Sequence, residues 1–271
     1  MKRLGGIAYL ALLALVAAVV LFPLYYALAG SLMDDAALVA YPPALFPSSV
    51  TFDNYARVMK AFPLARQYLN SMVVSLAIVA GVMATSVLAA YAFVFIDFPW
   101  RRTVFAAFMV TMMIPVESLI IPKYLLVGDL GWIDRYPGLI VPFVATGFGT
   151  FLMRQFFLTF PGELREAARL DGCGHLRFVW TILAPLSKHG MGVLALYTFI
   201  GAYNQFFWPL LVTNTPDMQT LQIGLASLDT AEARAPSLIF AGVVVAIAPM
   251  LLLFFLFQRT IVRGLTAGAV K

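Results

Sequence analysis

Very few side chains in this 271-residue sequence are suited to catalysis or to metal binding. Cys173 is the only cysteine, which excludes an internal disulfide and a cysteine-rich metal site. His175 and His189 are the only histidines, too few for an obvious metal cluster. The sequence contains neither the H-E-x-x-H zinc motif nor the G-x-x-x-x-G-K-[ST] phosphate-binding loop. The chain is therefore not expected to be an enzyme, to bind a cofactor of its own, or to hydrolyse ATP through a P-loop.

Glu117 is the one acidic residue that lies inside a long apolar stretch, between Pro115 and Pro122. An ionisable group at membrane depth indicates a functional site by default, because a charge in lipid is costly. The two prolines would kink a helix here and could leave Glu117 in a water-filled cavity. The alternative is structural: Glu117 would pair with Lys123 or with a polar group of a neighbouring chain.

A second group of polar and aromatic residues is dispersed through the apolar stretches. The polar members could bond to the hydroxyl groups of a substrate, or could simply hold helices together. The aromatic members could stack on a sugar face, or could form a belt near the outer lipid headgroups. Besides Glu117, the candidate pathway residues are Asn70, Tyr203, Asn204, Gln205 and Trp208.

The most definite local pattern is a polar segment, residues 162–185, between two apolar stretches. Its first half predicts a short helix, because Leu164, Ala167 and Ala168 have the i, i+3, i+4 spacing of one helical face. The two alanines make that face smooth, so another surface could approach closely. Gly172 is expected to end the helix, since only glycine adopts a positive φ at low cost.

A second amphipathic segment follows and ends at Ala184-Pro185, before the next apolar stretch. Its apolar side is predicted to consist of Leu176, Val179, Trp180 and Leu183. The residues alone leave two interpretations open. The whole loop could dock a cytosolic partner, or it could lie as a helical hairpin beneath the headgroups with its arginines on anionic lipid.

The composition indicates which solvent surrounds these residues. The chain is 62% hydrophobic and 11% charged, with a mean hydropathy of +0.91, whereas soluble domains are roughly 45–50% apolar and about 25% charged. The chain is therefore expected to be an all-α polytopic membrane protein. Six stretches approach the ~20 apolar residues that cross a bilayer: residues 7–30, 68–96, 104–127, 137–157, 189–212 and 237–257.

The distribution of positive charge predicts the orientation of these spans, because Lys and Arg accumulate in cytoplasmic loops. Of the 18 Lys and Arg residues, only six fall on the side opposite the N-terminus: Arg57, Lys60, Arg66, Lys123, Arg135 and Arg234. Both termini are therefore expected in the cytoplasm. The net charge of +5 is the difference between 18 basic and 13 acidic residues; its distribution along the chain matters more than the sum, and no nucleic-acid partner is expected. The first stretch exceeds the roughly 7–15 apolar residues of a signal-peptide core, so it is expected to remain as an anchor.

Two longer segments are expected on the outer side, residues 31–67 and 213–236. The first is rich in turn-forming residues and contains a possible short helix around residues 53–60. The second begins with polar residues and is expected to be a loop.

The order of the residues in the polar loop narrows its interpretation. A resemblance to the EAA signature of ABC importer permeases is carried by Glu166-Ala167-Ala168-Arg169-Leu170-Asp171-Gly172 and by Ile182-Leu183-Ala184-Pro185. It implies the type I importer permease fold for a single domain of residues 1–271, with a cytoplasmic coupling loop at residues 159–187. It also implies that the short helix is a coupling helix, seated in a cleft of an ATP-hydrolysing subunit. The docking residues would be Glu166, Ala167, Ala168, Asp171, Gly172 and Pro185.

Other segments resemble the carbohydrate-uptake branch of this family, in particular the maltose-type second permease. They are Asn204-Gln205-Phe206-Phe207-Trp208-Pro209-Leu210, with Tyr203 in place of the usual tryptophan, and the tail of residues 264–271. Three shorter segments resemble the sn-glycerol-3-phosphate subgroup: residues 114–117, 151–157 and 185–188. The resemblance implies import of sn-glycerol-3-phosphate or a glycerophosphodiester. The alternative within the family is an oligosaccharide such as a maltose- or trehalose-type sugar.

The resemblance also implies an assembly in the inner membrane of a bacterium. The chain would form half of the translocation pathway, as a heterodimer with a second permease. A dimer of ATP-binding subunits would use ATP and Mg²⁺, and an extracytoplasmic substrate-binding protein would deliver the cargo. Two other classes compete with this interpretation. An ion-coupled secondary transporter usually has more spans and a relay of buried acids, and an intramembrane enzyme needs paired carboxylates, a metal motif or an activated nucleophile.

Overall fold

The described part of the chain folds into helices connected by loops and turns. The computed structural model describes residues 2–61, 63–231 and 235–266, and that part of the chain contains no β-strand. In chain order the helices are α1 (Lys2–Ser31), α2 (Asp35–Val39), α3 (Asp53–Ala61), α4 (Leu64–Phe95), α5 (Arg101–Thr111), α6 (Ile120–Asp129), α7 (Tyr136–Ile140), α8 (Gly147–Phe157), α9 (Glu163–Leu170), α10 (His175–Phe178), α11 (Ala184–Leu186), α12 (Lys188–Tyr203), α13 (Phe207–Val212), α14 (Leu221–Ala231) and α15 (Pro236–Thr266). The other helical segments are the 3₁₀ turns Val116–Leu119 and Val141–Phe143 and the π-helical turn Val179–Leu183. The all-α prediction is confirmed.

The helices form two compact units. The first consists of Met1–Ala65 and Leu221–Leu251, and the second of Arg66–Thr220 and Leu252–Lys271. The candidate functional site lies in the second unit.

In the first unit, a small residue and a buried amide bring the helices together. A Cβ at Gly30 would lie 2.7 Å from the ring of Phe240, so α1 and α15 approach closely only because position 30 is glycine. Asn54 of α3 is buried and donates two hydrogen bonds of 2.9 Å, to the carbonyl oxygens of Ser31 and Met33. This amide fastens α3 to the end of α1.

Much of α1 presents apolar side chains to its surroundings. Residues 9–25 are all exposed, and they include large leucine, valine and phenylalanine side chains. A helix that leaves so continuous an apolar surface uncovered is suited to lipid or to a partner helix, and not to water.

The second unit is built on α4, which packs closely against the chain around α8. A Cβ at Gly81 would lie 2.7 Å from the Val144 side chain. Beside it, the Thr85 hydroxyl donates to the Val144 carbonyl oxygen at 2.7 Å. Helix α12 approaches α8 in the same way at Gly190, where a Cβ would lie 2.5 Å from the ring of Phe156. Small residues thus allow the helix backbones of this unit to pack closely.

Three helices of the described chain are long and apolar enough to cross a membrane by themselves: Tyr9–Ser31, Leu64–Phe95 and Pro236–Leu256. Three helix pairs qualify when each is counted as one span with a sharp bend. The bends are 94° between Arg101–Thr111 and Val116–Asp129, 46° between Tyr136–Phe143 and Gly147–Phe157, and 85° between His175–Leu186 and Lys188–Tyr203. The structure thus has up to six spans, in agreement with the six predicted stretches.

A proline lies at or shortly before each of these breaks: Pro115, Pro142 and Pro185. Proline lacks the N–H that would continue the helical hydrogen bonds, so a bend at these places has a local cause. The fifth predicted stretch, residues 189–212, differs most from the structure. Helix α12 ends at Tyr203, and α13 begins only at Phe207.

The two segments expected on the outer side give one confirmed prediction of local structure and one that is wrong. The short helix expected around residues 53–60 is α3. The loop expected at residues 213–236 is wrong, because α14 occupies its middle. Leu221, Ile223 and Leu228 are buried on that helix, and this apolar burial outweighs the polar start of the segment. Arg234 and residues 267–271, which end the predicted tail, lie outside the described residues.

Candidate coupling loop and pathway cavities

Helix α9 ends as the sequence indicates, at a glycine with a positive φ. Gly172 has a φ of 73°. The N–H of Cys173 donates to the carbonyl of Ala168 at 2.9 Å, and the N–H of Gly172 to that of Arg169 at 3.1 Å. This pair of hydrogen bonds is a Schellman motif, which satisfies carbonyl groups that a helix end otherwise leaves unpaired. The turn therefore requires a residue that tolerates a positive φ, which is glycine's particular property.

The outward surface of the loop contains most of the predicted docking residues. The exposed ones are Glu166, Ala167, Asp171, Gly172 and Pro185. Ala168 is the exception, with 6% of its surface exposed, because it packs with Leu164 into the core beneath the loop. This corrects the expectation that Leu164, Ala167 and Ala168 present one smooth face to a partner. Ala168 instead lets α9 lie close to its own chain.

The second half of the loop also differs from the expected amphipathic segment. Val179 and Leu183 are fully buried, whereas 65% of Leu176 and 45% of Trp180 are exposed. The four residues do not share one side, and the π-helical turn at Val179–Leu183 alters the angular spacing between them. Together with Leu170, which is 89% exposed, Leu176 and Trp180 leave large apolar side chains uncovered. An uncovered apolar surface of this kind suits a protein partner or the headgroup region.

A cluster of ring contacts fastens the loop to the C-terminal end of α4. The hydroxyl of Tyr91 lies 2.6 Å from Nδ1 of His175. The ring of Phe178 packs on those of Tyr91 and Phe95, with centroids 6.1 and 5.7 Å away. The guanidinium of Arg165, in α9, lies 5.2 Å from the centroid of the Phe178 ring. Nothing in the sequence marks Tyr91 as a partner of the loop, because it lies within an apolar run.

Asn70, a candidate pathway residue, is buried, and both of its amide hydrogens are used within the chain. They are donated to the carbonyl oxygens of Asp217 and Gln219 at 2.8 and 2.9 Å. The Asn70 Oδ1 accepts a hydrogen bond of 2.8 Å from the Tyr136 hydroxyl. Of the two roles left open by the sequence, the structure favours the one in which Asn70 holds helices together.

Tyr203 and Trp208 are also turned into the protein, whereas Asn204 is exposed. The Tyr203 ring stacks on Phe199, with centroids 5.6 Å apart and planes 13° apart. The Trp208 Nε1–H donates to the carbonyl oxygen of Gly138 at 3.0 Å, which fixes α13 against α7. Both rings therefore have packing partners in their own chain.

Three of the candidate pathway residues line one cavity of about 440 Å³, which we call cavity A: Glu117, Gln205 and Trp208. The rest of its wall is mainly apolar and aromatic: Val116, Ile120, Lys123, Phe143, Phe206 and Phe207. Small-molecule sites typically have roughly 300–1,000 Å³ and a mostly apolar lining with a few polar groups. Cavity A has both properties, so it is the strongest candidate for a contact with cargo.

The two charged residues of cavity A do not pair with each other. Glu117 is exposed in the 3₁₀ turn that precedes α6. Lys123 is half-buried, and its Nζ lies 5.0 Å from the centroid of the Phe143 ring. In the described part of the chain, the ion pairs are Arg57 with Asp35 and Arg101 with Asp97. The pairing of Glu117 with Lys123 that the sequence left open is therefore not found there.

The carboxylate of Asp134 joins two loops, the one before α7 and the one after α13. It accepts hydrogen bonds from the backbone N–H groups of Asn214 and Thr215, at 2.9 and 3.1 Å, and from the Thr215 hydroxyl at 2.8 Å. Partial burial raises the pKa of this carboxyl, but the three hydrogen bonds lower it by more, so the pKa of Asp134 lies below its ordinary value. The ionised carboxylate fixes the loop after α13 to the loop before α7.

The helical arrangement is that of an ABC importer permease. It matches a solved structure described as a bacterial ABC transporter involved in the import of the acidic polysaccharide alginate, with a TM-score of 0.85. The match covers 95% of this chain and 96% of that chain at 24% sequence identity. At this level of identity the similarity defines the fold.

The chain belongs to the family described as the binding-protein-dependent transport system inner membrane component, whose model matches residues 77–267. A relative from Brucella abortus (strain 2308), the sn-glycerol-3-phosphate transport system permease protein UgpE, is 41% identical over 256 residues, which is 91% of both chains. The proteins of the same name from Rhizobium meliloti (strain 1021) and Yersinia pestis bv. Antiqua (strain Antiqua) are 40% and 38% identical. They cover 91% of this chain and, respectively, 91% and 90% of their own length.

Family membership confirms the predicted class. The chain is a permease subunit of an ABC importer, a multi-pass membrane component that transports and does not catalyse. The secondary-transporter and intramembrane-enzyme interpretations are set aside by this membership. The roles of individual residues in the coupling loop and in cavity A stay predictions.

Proposed function

We propose that this permease imports sn-glycerol-3-phosphate or a glycerophosphodiester. The observation that carries the proposal is the 41% identity with the Brucella abortus permease named for that cargo, over 91% of both chains. Cavity A has matching chemistry, with an ammonium group at Lys123 and hydrogen-bonding groups at Glu117 and Gln205. A neutral oligosaccharide carries no negative charge that could pair with this ammonium group.

In this proposal the exposed surface of the coupling loop docks a separate ATP-hydrolysing subunit. Glu166 and Asp171 supply charge, Ala167 and Gly172 allow close approach, and Leu170 supplies an uncovered apolar anchor. A dimer of that subunit binds ATP and Mg²⁺, because this chain has no phosphate-binding loop.

In this proposal, a movement of the coupling loop is transmitted to the membrane helices in two ways. One is the contact of His175 and Phe178 with Tyr91, which leads to α4. The other is the chain itself, since His175–Leu186 continues into α12 after a bend of 85°. Packed elements of this kind shift as units between discrete arrangements, which is what alternating access requires.

The remaining partners are a second permease, which completes a heterodimer, and an extracytoplasmic substrate-binding protein. Support for the second permease comes from an uncovered surface beside cavity A. Helix α5 has no buried residue and residues 111–119 are all exposed, so this surface is open to a partner chain. Residues 1–271 work as one permease domain with residues 159–187 as its coupling loop. Both termini face the cytoplasm of a bacterial inner membrane.

The test begins with the tagged chain purified from its native membrane in mild detergent. We expect an ATPase subunit and a second permease to co-purify. ATP hydrolysis by the reconstituted complex, with its binding protein, is then measured with sn-glycerol-3-phosphate, with a glycerophosphodiester and with a maltose-type sugar. Absence of an ATPase would refute the assembly, and a response to the sugar alone would refute the cargo.

A further inference from the structure

Two further cavities neighbour cavity A. Cavity B has a volume of about 400 Å³ and shares Phe143 and Gln205 with cavity A; its own lining includes Ile78, Tyr197 and Thr198. Cavity C has a volume of about 220 Å³ and shares Thr146 with cavity B; its own lining includes Thr85, Thr111 and Thr150. The shared residues make the three cavities neighbours in the order A, B, C.

Two helices give this series a direction. Along α4, Ile78 lines cavity B and Thr85 lines cavity C, and Tyr91 follows where the coupling loop is attached. Helix α12 begins just after the coupling loop. Along this part of the chain Tyr197 lines cavity B, and Phe207, farther from the loop in the sequence, lines cavity A. The series therefore leads from cavity A towards the end of the helices that carries the coupling loop.

Charge is confined to the first cavity of the series. Among the residues that line the three cavities, Glu117 and Lys123 are the only ones with a charged side chain, and both belong to cavity A. Cavities B and C are lined by apolar residues, by threonine and tyrosine residues and, in cavity B, by the amide of Gln205. Among the residues that line the three cavities, Lys123 is thus the one full positive charge that could attract an anion.

The surroundings of Lys123 leave its ammonium group open to an anion. The group lies over the ring of Phe143, whose face attracts a cation but accepts no ordinary hydrogen bond. No carboxylate in the described part of the chain forms an ion pair with it. A half-buried ammonium group is screened less by water than an exposed one, so a phosphate gains more by binding here.

We propose that Lys123 binds the phosphate group of the cargo, and that Glu117 and Gln205 bond to its hydroxyl groups in the same cavity. The ligand class is a phosphate mono- or diester of a small polyol. The negative charge of Glu117 repels the phosphate, so the two charges together orient the cargo. This inference rests on the proposed function, because a neutral sugar would have no phosphate to bind.

The test compares variants of the full complex in proteoliposomes, supplied with saturating loaded binding protein and labelled sn-glycerol-3-phosphate. Lys123→Gln is expected to lower the import rate about tenfold or more, the effect of a lost charge-assisted hydrogen bond. Lys123→Arg keeps the charge and is expected to keep most of the import. Lys60→Gln is the matched control, since Lys60 is an exposed lysine of α3 that lines none of the three cavities.

A chemical variant of the test uses protein that has already folded. Lys123→Cys is introduced into a Cys173→Ala background, which removes the only native cysteine. The purified complex is then treated with 2-aminoethyl methanethiosulfonate, which restores an ammonium group, or with methyl methanethiosulfonate, which adds a neutral group. We expect import to recover only with the first reagent.

The outcomes separate this inference from the proposed function. Wild-type import by Lys123→Gln, equal losses in Lys123→Gln and Lys60→Gln, or recovery with the neutral reagent would each overturn the role of Lys123. A wild-type complex that imports a sugar but neither phosphate ester would overturn the proposed cargo instead.

Discussion

Gly172 is the position at which one substitution tests the coupling loop most directly. Its φ of 73° lies in the left-handed region, which a β-branched residue adopts least readily. A Cβ added there would meet no atom within 4 Å. Gly172→Val therefore introduces backbone strain at the turn without a steric clash inside this chain, and it places a larger side chain on the surface proposed to dock the ATPase.

The structure allows the size of this effect to be worked out. The left-handed conformation costs a residue with a side chain about 1–2 kcal/mol, and valine lies at the upper end. The turn is held by the two Schellman hydrogen bonds from Gly172 and Cys173, which contribute about 1 kcal/mol each. Strain of about 2 kcal/mol thus cancels the stabilisation from both hydrogen bonds. It lowers the ratio of native to non-native turn about 30-fold relative to the protein with glycine.

We expect Gly172→Val to reach the membrane in normal amount but to import at least about tenfold less cargo per ATP hydrolysed. Import and ATP hydrolysis are measured in the same proteoliposomes, together with the amount of co-purified ATPase. Import per ATP hydrolysed by Gly172→Asn should lie between that of the wild type and that of Gly172→Val, because asparagine tolerates a positive φ better than valine does.

Gly162→Val is the matched control for this prediction. Gly162 also has open space around an added Cβ, but its φ of −58° suits any residue. The same side chain is thus added at the other end of α9 without strain. Normal import by Gly172→Val, or an equal loss in Gly162→Val, would refute the reasoning.

Three further substitutions test the contacts of Tyr91, Asn70 and Asp134. Tyr91→Phe removes the hydroxyl 2.6 Å from His175 and should lower import per ATP about three- to tenfold in the same proteoliposomes. Asn70→Leu leaves the Tyr136 hydroxyl and two carbonyl groups without their partner, and should lower the free energy of unfolding by about 1–3 kcal/mol, seen as a lower Tm in detergent. Because the pKa of Asp134 lies below its ordinary value, the stability it contributes is present above the ordinary pKa of about 4 and is lost as the pH falls through the lowered pKa. Asp134→Asn should therefore make the Tm less dependent on pH in that acid range.

Each of these three has a control of the same residue type at an exposed position. Tyr124→Phe is the control for Tyr91→Phe, Asn204→Leu for Asn70→Leu, and Asp129→Asn for Asp134→Asn. If the control changes import, Tm or its pH dependence as much as the test substitution does, the corresponding contact is not the cause.

The features that could be predicted from the sequence are those that depend on a few neighbouring residues or on overall composition. The six apolar stretches are visible because each must match the thickness of a bilayer, whatever it packs against. Helix α9 is visible because its period and its terminal glycine lie within ten consecutive residues, and the Schellman motif at Gly172 follows from that local order. Pro115 likewise indicated a break in the third span, although not its angle of 94°.

The features that could not be predicted depend on which neighbour covers a given face. Leu176, Val179, Trp180 and Leu183 have similar hydrophobicity, and only the packing of the loop on the core separates the buried pair from the exposed pair. Helix α14 was missed for the same reason, since its buried residues follow a polar segment that has the composition of a loop.

The sequence by itself determined the class of this chain, an all-α multi-pass membrane protein and a permease of the ABC importer type, because composition and local residue order suffice for that conclusion. The coupling loop stays a prediction from the same residue order. Only the tertiary structure showed that Asn70 is occupied with its own chain and that Tyr91 holds the coupling loop. It alone brought Glu117, Gln205 and Trp208 together with Lys123 around one cavity. The physical reason is that hydrogen bonds and cavities join residues far apart in the chain, and their meeting depends on how bent helices pack.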